Sequence, residues 1–150
     1  MIHVIGDLII DEYWYGDTSR ISPEAPVPIV ELNSKKISLG GAGNVYMNIR
    51  GMTNQVTLDA YYSKDFQYIF DDIAVTGNLL SIESMPHKLR IFSGSHYVSR
   101  IDAEKRIENN DVQDKFFVPN QYDVVVLSDY NKGTVKDPQK IIKKSKSFSL

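Results

Sequence analysis

The sequence predicts an α/β fold built on a parallel sheet, and three observations carry that prediction. Residues 2–10, 55–62 and 123–127 are apolar or β-branched runs of strand length. Between them lie segments of helical spacing, through Val45 and Ile49 and again through Phe66, Ile69, Phe70 and Ile73. Strands joined in this way need crossover connections and pair in parallel. The third observation is the run Leu39-Gly40-Gly41-Ala42-Gly43-Asn44-Val45. Its glycines let the backbone turn tightly and approach a ligand, and the helix that follows exposes N–H groups that favour hydroxyls, carboxylates and phosphates.

Composition narrows the function classes. The 150 residues suit one domain (residues 1–150), with 17 basic and 19 acidic side chains and a formal net charge of −2. That balance leaves no electrostatic footprint for nucleic acid. Cysteine is absent, which excludes disulfides and thiolate metal sites. His3, His87 and His96 follow no zinc-ligand spacing. The N-terminus carries no basic region and Asp7 interrupts its apolar run, so it reads as a strand rather than a signal peptide. No run reaches membrane-spanning length, and a cytoplasmic protein with no membrane partner is expected.

In chain order, residues 2–10 form a first strand that delivers the carboxylates of Asp7 and Asp11 at its carboxyl end, where open α/β sheets bind ligands. Residues 13–16 and 25–32 read as two short extended segments of a flap. Pro26 and Pro28 place the second at an edge, because proline cannot donate to a ladder. The helix after the glycines ends near Gly51, and residues 55–62 form a strand. Residues 65–76 form a helix with Gly77-Asn78 as its C-cap. Residues 88–92 and 96–101 make a hairpin around Ser93-Gly94-Ser95, with Lys88, Arg90 and Arg100 placed to meet an anion. The strand 123–127 ends in the polar loop Ser128-Asp129-Tyr130-Asn131-Lys132-Gly133. Pro138 then opens a helix over 139–147, in a Lys-rich stretch that reads as a solvated face.

Two nucleotide motifs are excluded. A Gly-x-Gly-x-x-Gly read from Gly41 and Gly43 puts its third position on Tyr46, and no Gly-x-x-x-x-Gly-Lys-Ser/Thr run occurs.

Five segments together resemble the ribokinase-like (PfkB) carbohydrate kinases, and within them the heptose 7-phosphate kinase branch of bacterial ADP-heptose synthesis. They are Val4-Ile5-Gly6-Asp7 with Asp11; Tyr13-Trp14-Tyr15-Gly16; Thr18-Ser19-Arg20-Ile21-Ser22-Pro23-Glu24-Ala25-Pro26-Val27-Pro28; Gly40 to Val45; and Leu127 to Gly133. The likeness covers nearly the whole chain. It implies a ribokinase-like three-layer α/β fold with a small β lid, formed by residues of about 12–32 and 88–101, over a sugar site.

The resemblance also implies roles. Asp11 and Asn44 match the family's aspartate and asparagine that bind sugar hydroxyls, a carboxylate and an amide suited to reading a diol. Gly40 and Gly41 let the backbone close on the sugar. The loop bearing Asp129 and Lys132 touches substrate, with Lys132 as a point charge for phosphate. Arg20, Lys88, Arg90 and Arg100 are further candidates for that phosphate. Family members use ATP and magnesium, held by an Asn-x-x-Glu segment and a Gly-Ala-Gly-Asp anion hole whose aspartate is the base. Neither motif occurs in these residues. No catalytic residue is therefore assigned. This chain by itself is expected to bind neither cofactor and to transfer no phosphoryl group. Its expected partners are a sugar phosphate, a second copy through the apolar lid, or a complementing C-terminal half. A non-catalytic sugar-phosphate binding module and an inactive truncated product remain as alternative readings.

Overall fold

The computed structural model describes residues 1–107 and 124–146. Two four-stranded sheets make up the chain. The first contains β1 (Ile2–Gly6), β4 (Val56–Ser63), β5 (Leu79–Ile82) and β8 (Val124–Ser128) in the order β5-β4-β1-β8. All its pairings are parallel, with Ile2 opposite both Val56 and Val124. The second contains β2 (Leu8–Ile21), β3 (Pro28–Gly41), β6 (His87–Ser93) and β7 (His96–Ala103) in the order β3-β2-β6-β7. It is the lid.

Alternation along β1 sorts the layers. Val4 packs with Leu58, Ala60, Tyr46 of α1 (Ala42–Arg50) and Phe70 of α2 (Gln67–Ile73). Ile5, the next residue, faces the other way, onto Val135 and Ile141 of α3 (Pro138–Lys146). One residue of offset moves a side chain to the opposite face of a strand, so the parallel sheet is covered on both sides. The three-layer arrangement follows directly from that pattern.

The strand expected over 2–10 divides at Asp7, so Asp11 lies on the lid strand β2 and not at the end of β1. The segments expected at 13–16 and 25–32 are parts of one long antiparallel hairpin, β2 and β3, of 14 residues each. Its polar stretch Glu31 to Lys36 hid the continuation, because a thin lid leaves those positions in water. β3 is an edge strand, as its prolines require. The helix expected over 65–76 is a 3₁₀ turn, Lys64–Phe66, followed by the shorter α2. Ala74, left-handed at φ 51°, ends α2, and Gly77 does not cap it. Gly77 instead passes against β4, where a Cβ would sit 2.0 Å from the Leu58 carbonyl oxygen. Strand β5 was not expected. The hairpin of β6 and β7 and the parallel β8 match expectation, although Asp123 and Ser147, the outer limits of two expected elements, lie outside the described residues.

Two histidines read as isolated are paired with carboxylates. His3 and Asp59, both fully buried in the parallel sheet, lie 3.0 Å apart, and Asp59 accepts two further bonds from Asn78. His87 Nε2 lies 2.9 Å from Glu12 Oε2 at the base of the lid, where Trp14 Nε1 donates to the other Glu12 oxygen. Among the described residues no helix is long and apolar enough to cross a membrane.

Candidate functional site

Asp7 sits where the two sheets part. It is 1% exposed, and its carboxylate accepts three backbone N–H groups: Tyr130 at 2.8 Å and Lys132 at 3.1 Å on Oδ2, and Thr134 at 3.0 Å on Oδ1. Its main chain receives the amide of Ala42, the first residue of α1, and donates to Ser128. One side chain therefore shapes the loop after β8, and one backbone unit joins that loop to the glycine turn. Buried carboxylates are tolerated when so completely hydrogen-bonded. Gly41, at φ 57°, allows the junction: a Cβ there would lie 2.2 Å from the Asp7 carbonyl oxygen.

Above this junction lies a cavity of about 430 Å³, lined by Ile9, Asp11, Tyr13, Ser38, Leu39, Gly40, Gly41, Asn44, Lys88, Arg90 and Tyr130. Asp11 and Asn44 thus face one hollow, from the lid strand and the first turn of α1. Arg90 Nη1 donates to Asp11 Oδ1 at 2.7 Å. That hydrogen bond, reinforced by the carboxylate's charge, raises the Arg90 guanidinium above its ordinary range. The guanidinium also lies 5.1 Å over the ring of Tyr13. The second carboxylate oxygen of Asp11 occupies the space that a side chain at position 40 would take, since a Cβ on Gly40 would be 2.2 Å from it. An acceptor fixed by one arginine, next to an amide, is suited to hydroxyl donors.

Lys88, opposite Asp11 in the β2–β6 register, completes the lid side. Glu104, just beyond β7, bridges Lys88 Nζ at 3.1 Å and Lys132 Nζ at 2.5 Å. The hydrogen bonds from Lys132 and then Lys88 hold the Glu104 carboxyl below its ordinary range. This tie from lid to loop is complete above that range and is lost as pH falls through the lowered value.

The other candidates are placed elsewhere. Lys132 and Asp129 lie on the loop beside the cavity but do not line it, and Asp129 accepts the amide of Asn131 at 2.7 Å. Arg20 is out at the exposed end of the lid, 3.7 Å from Glu31. Arg100 pairs with Asp102 at 2.8 Å on β7, away from the cavity. Tyr13, Ser38 and Tyr130 were missed as lining residues. Tyr13 was legible from its spacing: two residues beyond Asp11 on a strand, it shares that face. The other lid face forms an apolar hollow of about 530 Å³ bounded by Trp14, Val27, Pro28, Val30, Leu32, Ile91 and Val98.

No protein-family model matches the chain. It is 37% identical to the bifunctional protein HldE of Haemophilus influenzae over 150 residues, covering 93% of this chain and 32% of that protein. It is 36% identical to HldE of Blochmanniella floridana, covering 98% and 33%. The chain thus spans about a third of the length of these curated relatives. Among solved structures, it superposes on ribokinase from Cryptococcus neoformans var. grubii, in complex with ADP, with a TM-score of 0.51 and 14% identity, covering 84% of this chain and 41% of that one. Ribokinase from Arabidopsis thaliana, complexed with ribose and ATP, gives a TM-score of 0.51 at 12% identity, covering 68% and 35%. The chain thus has a ribokinase-like fold and is similar to HldE over nearly its whole length, in agreement with the five sequence segments.

Proposed function

We propose that this chain forms the sugar-binding side of a heptose 7-phosphate kinase. The observation that carries the proposal is the joint placement of Asp11 and Asn44 on one cavity, with the Asp11 carboxylate held by Arg90 and admitted by Gly40. Asp11 accepts hydrogen bonds from two sugar hydroxyls, and Asn44 both donates and accepts. Gly40 and Gly41 let the main chain approach the ring, with Tyr13 and Tyr130 at its sides. Lys88, and Lys132 from the adjoining loop, take the phosphate, while Arg20 and Arg100 serve the surface of the lid. If the site binds heptose 7-phosphate, Asn44→Ala weakens it by about 1–3 kcal/mol, read by calorimetry, because buried partners lose their bonds.

The kinase reaction needs ATP and magnesium, and on this reading none of the described residues is assigned to hold them. Among the described residues no group of three or more His, Asp or Glu side chains is arranged to hold a metal ion. No second glycine-rich helix entry follows Gly43 to cradle phosphates. Phosphoryl transfer requires a base within reach of the attacking hydroxyl and donors around the transferring group. Asp11 is engaged with Arg90 and Asp7 with three amides, so neither is free to act as that base. The 150-residue chain alone is therefore expected to give no turnover in a coupled assay with ATP, magnesium and heptose 7-phosphate. Turnover abolished by Asp11→Asn would place the catalytic parts within these residues. A binding module without catalysis remains the second reading, favoured if no complementing chain restores activity.

The lid supplies the proposed partner surface. Val27, Leu32 and Val98 leave much of their area in water around the apolar hollow, more than a thin sheet buries by itself. Pairing of two lids covers it. Sedimentation at rising concentration is expected to show a dimer, and a well-folded monomer throughout would count against pairing.

A further inference from the structure

Glu104 was no part of the expected site, yet its carboxylate is shared by the lid and the loop. Lys88 comes from β6 and Lys132 from the loop that Asp7 shapes, so the two ammonium groups belong to separate parts of the fold. Two like charges held so close need an anion between them. Each Glu104 oxygen meets one lysine, at 3.1 Å and 2.5 Å, and this is the geometry in which a phosphate group bridges two ammonium groups. The neighbouring cation, Arg90, is already matched by Asp11. All three side chains of the bridge keep about a quarter of their surface in water, 23% for each lysine and 27% for Glu104. Solvent weakens such a tie, so a ligand with more charge displaces it readily. The main chain beyond Glu104 is held separately, by the Ile107 amide donating to the Lys132 carbonyl at 2.8 Å. Rotation of the Glu104 side chain into water therefore leaves the segment in place.

The geometry points to Glu104 as an internal placeholder: in the empty site it occupies the position of the ligand's phosphate group between Lys88 and Lys132, and it swings out when a sugar phosphate enters. This rests on the sugar-kinase reading for the sugar, but not for the anion. The placeholder keeps the lysines from repelling, and it also competes with the ligand. The bridge carries a net charge of about +1 with Glu104 and about +2 without it, so removing the carboxylate favours a dianion.

Calorimetric titration of the full chain tests this, with inorganic phosphate, heptose 7-phosphate, the unphosphorylated heptose and ADP as separate probes on the parent, Glu104→Gln and Lys132→Gln. Glu104→Gln is expected to tighten inorganic phosphate and heptose 7-phosphate roughly three- to tenfold. It should leave the heptose and ADP unchanged, while Lys132→Gln weakens inorganic phosphate and heptose 7-phosphate. A thermal melt of each variant reports its folding. Phosphate and sugar-phosphate affinities that fall in Glu104→Gln as they do in Lys132→Gln would make Glu104 a clamp, and would overturn the proposal. No phosphate binding to Glu104→Gln would do the same, as would a gain confined to ADP. A phosphate response without any binding of the heptose or its phosphate to the parent would refute the sugar reading and leave the anion site standing.

Discussion

Asp7→Ala is expected to destabilise the chain by about 3–5 kcal/mol, a drop in Tm of roughly 10 °C or more. The carboxylate accepts three backbone amides and is 1% exposed, so its loss leaves Tyr130, Lys132 and Thr134 with donors that have nowhere to bond. Buried donors without partners cost about 1–3 kcal/mol each, reduced where the loop relaxes into water. Asp7→Asn is expected to recover little. An amide of the same shape offers one acceptor oxygen and turns its NH₂ toward main-chain N–H groups. Amide hydrogen exchange gives the specific readout. Tyr130, Lys132 and Thr134 should lose protection in both variants, while the amides of β1 and β4 keep theirs until global unfolding. A variant melting within a degree or two of the parent would show that the loop holds its shape without Asp7.

The second large effect is on binding. Asp11→Ala is expected to weaken heptose 7-phosphate by about 3–4 kcal/mol, roughly two to three orders of magnitude in Kd. Two charge-assisted hydroxyl bonds are lost, and the guanidinium of Arg90 is left facing the cavity with its charge unmatched. The fold should tolerate the change, because Asp11 is partly exposed and Arg90 still rests over Tyr13. Stability and binding are thus expected to separate the two aspartates, Asp7 as the residue that holds the loop and Asp11 as the one proposed to meet the ligand. From the sequence alone, both read as carboxylates at the end of one strand.

That misreading shows where sequence pattern stops. The parallel sheet was legible because β1 and β4 are largely buried and β8 is partly so, and such strands write themselves as apolar, β-branched runs. The break at Asp7 was not, because Leu8, Ile9 and Ile10 continue the apolar run while changing sheets. They serve the core at the seam, and hydrophobicity does not record which sheet they join. The lid was seen only in part for the opposite reason. Its strands lie largely in water, so residues such as Lys35 and Lys36 look like loop although they stand in ladder register with Trp14 and Tyr13. β5 is four residues long and half-buried, too short to impose a period.

The site divides in the same way. Gly40, Gly41 and Asn44 were legible because a glycine turn entering a helix is a local pattern. Lys88 and Arg90 were named as candidates for an anion, but their proximity to Asp11 depends on the parallel pairing of β2 with β6, strands some seventy-five residues apart in the chain. Arg20, on β2, and Arg100, on β7, shared their chemistry. Only tertiary placement separates them, since Arg20 lies beyond two register shifts at the far end of the lid. Glu104 carried no local signal, because its partners are supplied by β6 and by the loop that Asp7 holds.

The most direct test of the sugar-site assignment is a calorimetric titration of heptose 7-phosphate into the 150-residue chain and its Asp11→Ala variant, without ATP or magnesium. Saturable binding at one site per chain is expected for the parent. In the variant, binding is expected to fall by roughly two to three orders of magnitude while the Tm stays within a degree or two. Failure of the parent to bind, or equal binding by both proteins, would contradict the assignment of Asp11 and its cavity to the sugar.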